Sequence, residues 1–253
     1  MYLIGDIGNT DIKICLFSKN LKLIKKIRLK TFLLNNSYLE RNLKFIKRYK
    51  SNITNVLISS VVPIVYKRIK KFIDKSIKIK CVELKKINLN KLLKIKVNKK
   101  QIGSDRLANA ISVIDKTKNY IIVDFGTATN FDVVIKDNYI GGILAPGVNL
   151  SLNTLSDKAS LIPKINLEKI NSIIGKNTAS AIRAGFYYGY SGLIDNIIKM
   201  IIKQTGKSFS IIFTGGYSYL FKNTIKRKVI IKKDLTIYGV LKALLNLNKW
   251  EKS

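Results

Sequence analysis

Two short segments of the chain combine a carboxylate, a glycine and hydroxyl-bearing residues at the same spacing. They begin at Asp6 and at Asp124, each directly after an apolar run that predicts a strand. A glycine turn lets consecutive backbone N–H groups approach phosphate oxygens. A carboxylate at a strand end can hold a cation directly or through water. The two segments therefore predict phosphate-binding turns with a cation nearby.

Side chains within the turns supply further groups for phosphate. Gly8, Asn9 and Thr10 form the first turn, and Thr127 lies in the second. Amide and hydroxyl groups there can donate hydrogen bonds to phosphate oxygens. Lys13, one short strand away, can neutralise a terminal phosphate, although it could equally be one of the many solvated lysines of this chain.

A candidate general base lies in the segment from Gly103 to Arg106, just before an amphipathic helix for which we predict Ser104 as N-cap. Asp105 is a carboxylate at a helix start beside a cationic side chain, and it can accept a proton from a substrate alcohol. A plain helix acid that stabilises the dipole is the alternative for Asp105. Arg106 can orient Asp105, contact a substrate carboxylate, or do both.

Composition narrows the chemistry further. The chain of 253 residues contains no histidine, which excludes Ser-His-Asp and Cys-His catalysis, imidazole zinc sites and histidine proton shuttles. Acid–base steps must therefore use one of the 15 carboxylates, a lysine, a tyrosine or a cysteine.

The formal net charge of +32 first suggests a polyanionic partner. However, only seven of the 47 basic residues are arginine, the residue favoured for phosphate and guanine contacts. Lysine is spread along the whole chain together with isoleucine and asparagine, as an A/T-rich genome would produce. We therefore attribute the charge mainly to composition and do not expect nucleic acid as a partner, with a functional basic surface as the alternative.

The chain is expected to be a soluble, cytoplasmic protein. Cys15 and Cys81 lie far apart in apolar contexts and are predicted to be buried free thiols, as in a reducing compartment. The start of the chain reaches Asp6 too early for the apolar region of a signal peptide. No apolar run approaches the roughly 20 residues of a membrane helix, so no membrane association is expected.

Elements that position these residues can be read from hydrophobic periodicity. In the first half we predict a hairpin whose tip, Gly8-Asn9, has positive φ. Strands are predicted at 56–62 and 78–82, and helices over 38–49, from 63 to about 74 and after 104. In the second half we predict strands at 120–123, 131–135, 139–144 and 210–213. Helices are predicted over 151–155, 179–186, 193–202 and 238–246. The lysine-rich stretch 85–100 looks least structured.

The order of strand, Asp-x-Gly turn and second strand therefore occurs twice, once in each half of the chain. An internal repeat of this size favours two similar α/β halves, which we place at 1–115 and 116–253. Facing halves would bring both turns into one cleft. Two unrelated glycine hairpins are the alternative.

With these motifs together, the chain resembles the type III pantothenate kinases of the actin–Hsp70–sugar kinase superfamily. The resemblance covers essentially the whole chain. It rests on seven blocks in family order: 6–10 with Lys13, 59–63, 103–106 with Ala108-Asn109, 124–129 with Phe131-Asp132, 141–147, 177–179 leading to Gly185, and 214–216. It implies an α/β fold of two ribonuclease-H-like (actin-like ATPase) halves, each a mixed sheet flanked by helices.

The resemblance also implies an activity: phosphorylation of pantothenate by ATP to 4′-phosphopantothenate, the first step of coenzyme A biosynthesis. Asp6 would lie near Mg²⁺ in the first phosphate loop and Asp124 beside a monovalent cation, K⁺ or NH₄⁺. Thr127 would contact ATP. The segment Gly103, Ser104, Asp105, Arg106 would bind pantothenate, with Asp105 as general base, and Thr178 would complete the pocket across a homodimer interface. A helix N-cap is the alternative for Thr178.

One stretch departs from the family pattern. Family members carry Tyr-x-Asn-Pro shortly before the segment at Gly103, whereas this chain has Lys96-Val97-Asn98-Lys99. The departure concerns the substrate pocket and leaves the phosphate turns intact. Two other functions therefore stay open: a kinase of another small alcohol, and a non-catalytic regulatory relative that uses the basic surface.

Overall fold

The computed structural model describes residues 1–250, with side chains through Leu247. The chain forms two compact units. The first contains Met1–Ile114, Asp137–Tyr139 and the C-terminal segment from Asp234, and the second contains Asp115–Lys136 and Ile140–Lys233. The chain passes from the first unit to the second at Asp115, whereas the last helix packs in the first unit. The reason is a close contact of that helix with the helix after Gly103, described below.

The elements follow one another along the chain. The strands are β1 (Tyr2–Ile7), β2 (Asp11–Phe17), β3 (Leu23–Lys30), β4 (Asn55–Ser60), β5 (Cys81–Glu83), β6 (Lys94–Ile95), β7 (Asn119–Phe125), β8 (Ala128–Ile135), β9 (Asn138–Pro146), β10 (Ser210–Gly215) and β11 (Val229–Ile231). The α-helices are α1 (Asn36–Arg48), α2 (Pro63–Ile77), α3 (Ser104–Val113), α4 (Val148–Lys158), α5 (Thr178–Thr205), α6 (Ser218–Phe221) and α7 (Leu235–Trp250). Single 3₁₀ turns occur at Thr31–Leu33 and Leu84–Lys86.

The first unit is built on a five-stranded sheet in the order β3-β2-β1-β4-β5. β1 pairs antiparallel with β2 and parallel with β4, so the sheet is mixed. Alternate residues of the strands, such as Leu3 and Ile7 of β1, face the apolar stripes of α1 and α2. α7 contacts β1 and β4, and α3 contacts β4 and α7.

α3 and α7 approach so closely that only glycine fits at position 239. A Cβ atom built on Gly239 would lie 1.8 Å from the carbonyl oxygen of Ala108. We expect Gly239→Ala to lower the free energy of unfolding by about 1–3 kcal/mol through overpacking, despite a gain in helix propensity of about 1 kcal/mol. Urea unfolding measures this. Gly192→Ala, at a helical glycine with nothing within 4 Å, is the control and should not destabilise.

The second unit repeats this topology. Its strands take the order β11-β10-β7-β8-β9, which matches β5-β4-β1-β2-β3 of the first unit. β7 pairs antiparallel with β8 and parallel with β10, just as β1 pairs with β2 and β4. The predicted fold class, two similar halves of mixed sheets flanked by helices, is confirmed.

α5 corrects one predicted feature of the second unit. We predicted separate helices over 179–186 and 193–202, but a single helix runs from Thr178 to Thr205. Its internal glycines each cost only about 1 kcal/mol of helix propensity, and buried apolar residues anchor it to the sheet. A capping box between Asn177 and Ser180 begins the helix, and Gly206 in the left-handed region ends it.

Four elements were not predicted: β3, β6, α6 and β11. β3 is an edge strand whose side chains are mostly exposed and basic, so it lacks the alternation that marks a strand. In the lysine-rich stretch, β6 pairs in parallel with Asn138 and Tyr139. The ammonium group of Lys85 also donates to the carbonyl oxygens of Lys100, at 3.2 Å, and Ile102, at 2.9 Å. No helix within residues 1–250 is long and apolar enough to cross a membrane.

Candidate active site

The first Asp-x-Gly turn forms the predicted hairpin connection between β1 and β2. The Gly8 N–H donates to the Asp11 carbonyl oxygen at 2.9 Å, and Asn9 and Thr10 are exposed at the tip. Neither Gly8 nor Asn9 has a positive φ, so that part of the prediction is wrong. The turn has three residues (8–10), and none of them has a positive φ.

Thr31 holds this turn in place, a role that the sequence did not reveal. Its hydroxyl donates to the Gly8 carbonyl oxygen at 2.8 Å, and its N–H donates to the Thr10 carbonyl oxygen at 3.0 Å. Thr31 directly follows β3, so its place beside the turn depends on an edge strand that was not predicted. It is a positioning residue for the turn.

The resemblance implies that this turn binds ATP and that pantothenate is the phosphoryl acceptor. On that basis we expect Thr31→Val to raise the KM for ATP by about three- to ten-fold, because one hydrogen bond to the turn, worth roughly 1 kcal/mol, is lost. Thr31→Ser keeps the hydroxyl and should restore the wild-type value. Steady-state kinetics at saturating pantothenate measures both variants. Equal KM values for all three proteins would show that the turn holds its shape without Thr31.

Asp6 lies on β1 between two potential partners on the neighbouring strands. It is directly opposite Lys13 on β2 and in register with Ser59 on β4. Directly opposite residues share a face of the sheet, so Lys13 and Asp6 are brought together. Lys13 is half-buried and not one of the fully solvated lysines. The hydroxyl oxygen of Ser59 is buried and has no hydrogen-bond partner within the described part of the chain.

The helix start at α3 differs from the prediction. Gly103 is the N-cap, not Ser104, and no side chain caps the helix. Ser104 is 1% exposed, and its hydroxyl has no hydrogen-bond partner among residues 1–250. An orphaned buried hydroxyl next to Asp105 fits the recognition of a polar ligand. Gly103 leaves room for the carboxylate, because a Cβ atom there would lie 2.4 Å from Oδ1 of Asp105.

Asp105 has the electrostatic properties of a base. Burial raises the pKa of its carboxyl above the usual value, although a hydrogen bond from the Arg106 backbone N–H to Oδ1, at 2.8 Å, and the nearby positive charge oppose the change. A base with a raised pKa accepts a proton more readily. The Arg106 guanidinium carbon lies 6.0 Å from the centroid of the Tyr139 ring, a cation–π contact that orients it.

Within the second unit, Asp124 occupies the position that Asp6 has in the first. It lies opposite Asn130 on β8 and in register with Thr214 on β10. The side-chain oxygen of Asn130 is buried and lacks a hydrogen-bond partner among the described residues. A carboxylate beside an orphaned amide oxygen is a suitable donor set for a hard cation. Thr127 is exposed in the turn that follows.

Thr178 is the first residue of α5 and is exposed. The N-cap is Asn177, whose side chain accepts a hydrogen bond from the Ser180 N–H at 2.9 Å. The N-cap alternative for Thr178 is therefore wrong, and its hydroxyl is available to a ligand.

The structure thus groups the predicted residues by unit. The first unit holds the turn with Asp6 and Lys13 and the helix start with Asp105. The second unit holds Asp124, Thr127 and Thr178. The structure adds Ser59 and Asn130 to the candidate site residues, because each has a buried side-chain oxygen without a hydrogen-bond partner among the described residues. The sequence gives no sign of this.

Comparisons with known proteins agree with these motifs. The family model for type III pantothenate kinase matches residues 2–200. A curated type III pantothenate kinase of Pelagibacter ubique (strain HTCC1062) is 58% identical over 243 residues, covering 96% of this chain and 98% of the relative. A second, from Sulfurihydrogenibium sp. (strain YO3AOP1), is 35% identical over 251 residues, covering 95% of this chain and 98% of that protein.

Solved structures show the same fold at low sequence identity. A Baf family protein of Campylobacter jejuni has a TM-score of 0.58 at 19% identity, covering 98% of this chain and 99% of that one. Component A of (R)-2-hydroxyglutaryl-CoA dehydratase from Acidaminococcus fermentans has a TM-score of 0.56 at 12% identity, covering 100% and 99%. With identity at this level, these likenesses concern the fold alone, and the sequence matches carry the assignment: the chain belongs to the type III pantothenate kinase family.

Proposed function

We propose that this protein transfers the γ-phosphoryl group of ATP to the primary hydroxyl of pantothenate, giving 4′-phosphopantothenate and ADP, the first step of coenzyme A biosynthesis. The observation that carries the proposal is the half-buried carboxylate of Asp105, with its raised pKa, beside the orphaned hydroxyl of Ser104. Family membership supplies the substrate class.

In this reaction the hydroxyl oxygen of pantothenate forms a bond to the γ-phosphorus, and the bond from that phosphorus to the β,γ-bridging oxygen breaks. Asp105 accepts the hydroxyl proton, and ADP leaves with the bridging oxygen. Phosphoryl transfer needs positioning and charge neutralisation more than covalent participation by the protein. Gly103, Ser104 and Arg106 would hold the substrate around this carboxylate.

The first turn would bind the phosphates of ATP. Gly8, Asn9 and Thr10 present backbone and side-chain donors at an exposed tip, and Lys13 adds a positive charge. Asp6 would hold Mg²⁺, which neutralises phosphate charge when bound. Mg²⁺ commonly binds through one or two carboxylates together with substrate phosphates, so one aspartate here suffices.

The second turn would also contact ATP, as the resemblance implies. The Thr127 hydroxyl is an exposed phosphate contact, and Asp124 with the Asn130 amide oxygen would hold a monovalent cation, K⁺ or NH₄⁺. Such a cation adds positive charge near the phosphates. Dependence of the rate on K⁺, with Na⁺ as control, tests this part; equal rates in both would contradict it.

We also propose a cytoplasmic homodimer, with Thr178 contributing to the pantothenate pocket of the partner subunit. The second unit exposes apolar side chains that a dimer could cover, among them Leu144 at 62% and Leu150 at 51%. Both cysteines are buried free thiols, which suits a reducing compartment. Light scattering of the purified protein should give twice the chain mass, and the monomer mass would contradict the dimer.

A substrate panel tests the proposal and separates it from the other kinase function. Purified protein with ATP, Mg²⁺ and K⁺ should release ADP with pantothenate and not with other small alcohols, despite Lys96 and Lys99 replacing the family tyrosine and proline. A faster reaction with a different alcohol would assign the site to that substrate.

A further inference from the structure

A cavity of about 1010 Å³ lies entirely within the first unit, and neither the first turn nor Asp105 is among its lining residues. It is bordered by α2, β5 and the segment that leads toward Gly103. Seven of its 13 lining residues are lysines, and Glu83 provides the single carboxylate. Lysine makes up 40 of the 253 residues of the chain, so the cavity is strongly enriched in positive charge.

Some of these ammonium groups already have protein partners. Lys70 bonds Asp74, Lys85 bonds backbone carbonyl oxygens, and Lys99 bonds the side chain of Asn90. The remaining four have no hydrogen bond or ion pair with other described residues: Lys67, Lys80, Lys86 and Lys100. Four uncompensated positive charges around one cavity favour a multiply charged anion.

Glu83 makes the cavity selective for an anion that also carries a hydrogen-bond donor. Its Oε1 atom is buried and has no hydrogen-bond partner among residues 1–250. A buried carboxylate oxygen without a donor is costly, so it needs an N–H or O–H group from elsewhere. The same charge disfavours a simple anion that brings no donor. Pro63 and Val82 add an apolar part to the lining.

We propose that this cavity is a second ligand site, for a small organic phosphate whose phosphate group contacts the lysines and whose hydroxyl or amide group donates to Glu83. Lysine ammonium groups bind phosphate as point charges, so the rim can accept phosphates in more than one orientation. Lys99 belongs to the stretch that departs from the family pattern near the substrate pocket, but no other lining residue is assigned to ATP or pantothenate. The lysines that the test below changes lie outside that stretch, so the test is independent of the proposed function.

Isothermal titration calorimetry with sn-glycerol 3-phosphate tests the site, with the ATP site saturated by a non-hydrolysable ATP analogue. The triple variant K67Q/K80Q/K86Q should bind about ten-fold more weakly, because three exposed charge contacts are lost. The control K22Q/K25Q/K50Q removes the same charge at exposed lysines outside the cavity lining and should stay within about two-fold of wild type.

A second binding experiment tests the role of Glu83. Glu83→Gln removes the repulsive charge, so inorganic phosphate should bind several-fold more tightly than to wild type. Equal affinities of the cavity variant and the control variant would overturn the proposal. It would also be overturned if duplex DNA bound through these lysines while glycerol phosphate did not. Neither result depends on kinase activity, so failure here is distinguishable from failure of the proposed function.

Discussion

Replacement of Asp105 by asparagine is expected to lower kcat by about 10²–10⁴-fold, the usual contribution of a positioned general base. The amide keeps the shape of the side chain but cannot accept the hydroxyl proton of pantothenate. In the proposed function ATP contacts the phosphate turns and not Asp105, so the KM for ATP should change by less than about two-fold. Steady-state ADP release at saturating pantothenate measures both quantities. Near-wild-type kcat would remove Asp105 as the base.

Two controls separate a catalytic role from a structural one. Asp157→Asn, at an exposed position on α4, should leave kcat unchanged. The pH profile gives a second readout, since the proposed reaction needs Asp105 deprotonated. Because burial raises the pKa of Asp105, the acid limb of kcat/KM should lie above the pKa of an ordinary aspartate, and activity should fall as the pH drops through it. This limb should vanish from the residual activity of Asp105→Asn.

Gly147→Ala is expected to raise the KM for ATP by roughly ten- to a hundred-fold. A Cβ atom at Gly147 would lie 2.0 Å from the Thr127 carbonyl oxygen and 2.8 Å from that of Gly126, so the backbone of the second turn must move. A displacement of about 1 Å at a positioning group can cost this much. The substitution adds one methyl group and no charge, so the effect reports the position of the turn.

Gly192→Ala is the matched control, since nothing lies within 4 Å of its added Cβ atom. Circular dichroism of both variants should show folded protein, which separates a local shift from unfolding. An unchanged KM for ATP in folded Gly147→Ala would mean that the second turn does not contact ATP.

Local sequence signals were sufficient for most of the architecture. The repeated strand and Asp-x-Gly turn predicted two similar halves, and the matching strand orders β3-β2-β1-β4-β5 and β9-β8-β7-β10-β11 bear this out. Alternation and apolar runs located the buried strands because their periodicity is set by burial. The helix start at Asp105 was predicted to within one residue.

The features that could not be predicted from the sequence depend on tertiary contacts. α5 continues through Gly185 and Gly189 because packing on the sheet outweighs propensity, which no local pattern records. Thr31 acts on the first turn only through the edge strand β3. The close approach of α7 to α3 joins residues far apart in the chain, so the assignment of the last helix to the first unit was not predictable from periodicity.

The most direct test of the account is identification of the product made by the purified wild-type protein from ATP, Mg²⁺, K⁺ and pantothenate. Mass spectrometry and ³¹P NMR should show one 4′-phosphopantothenate for each ADP released, with the phosphate on the primary hydroxyl. ATP hydrolysis without phosphopantothenate, or no pantothenate-dependent turnover at all, would contradict it.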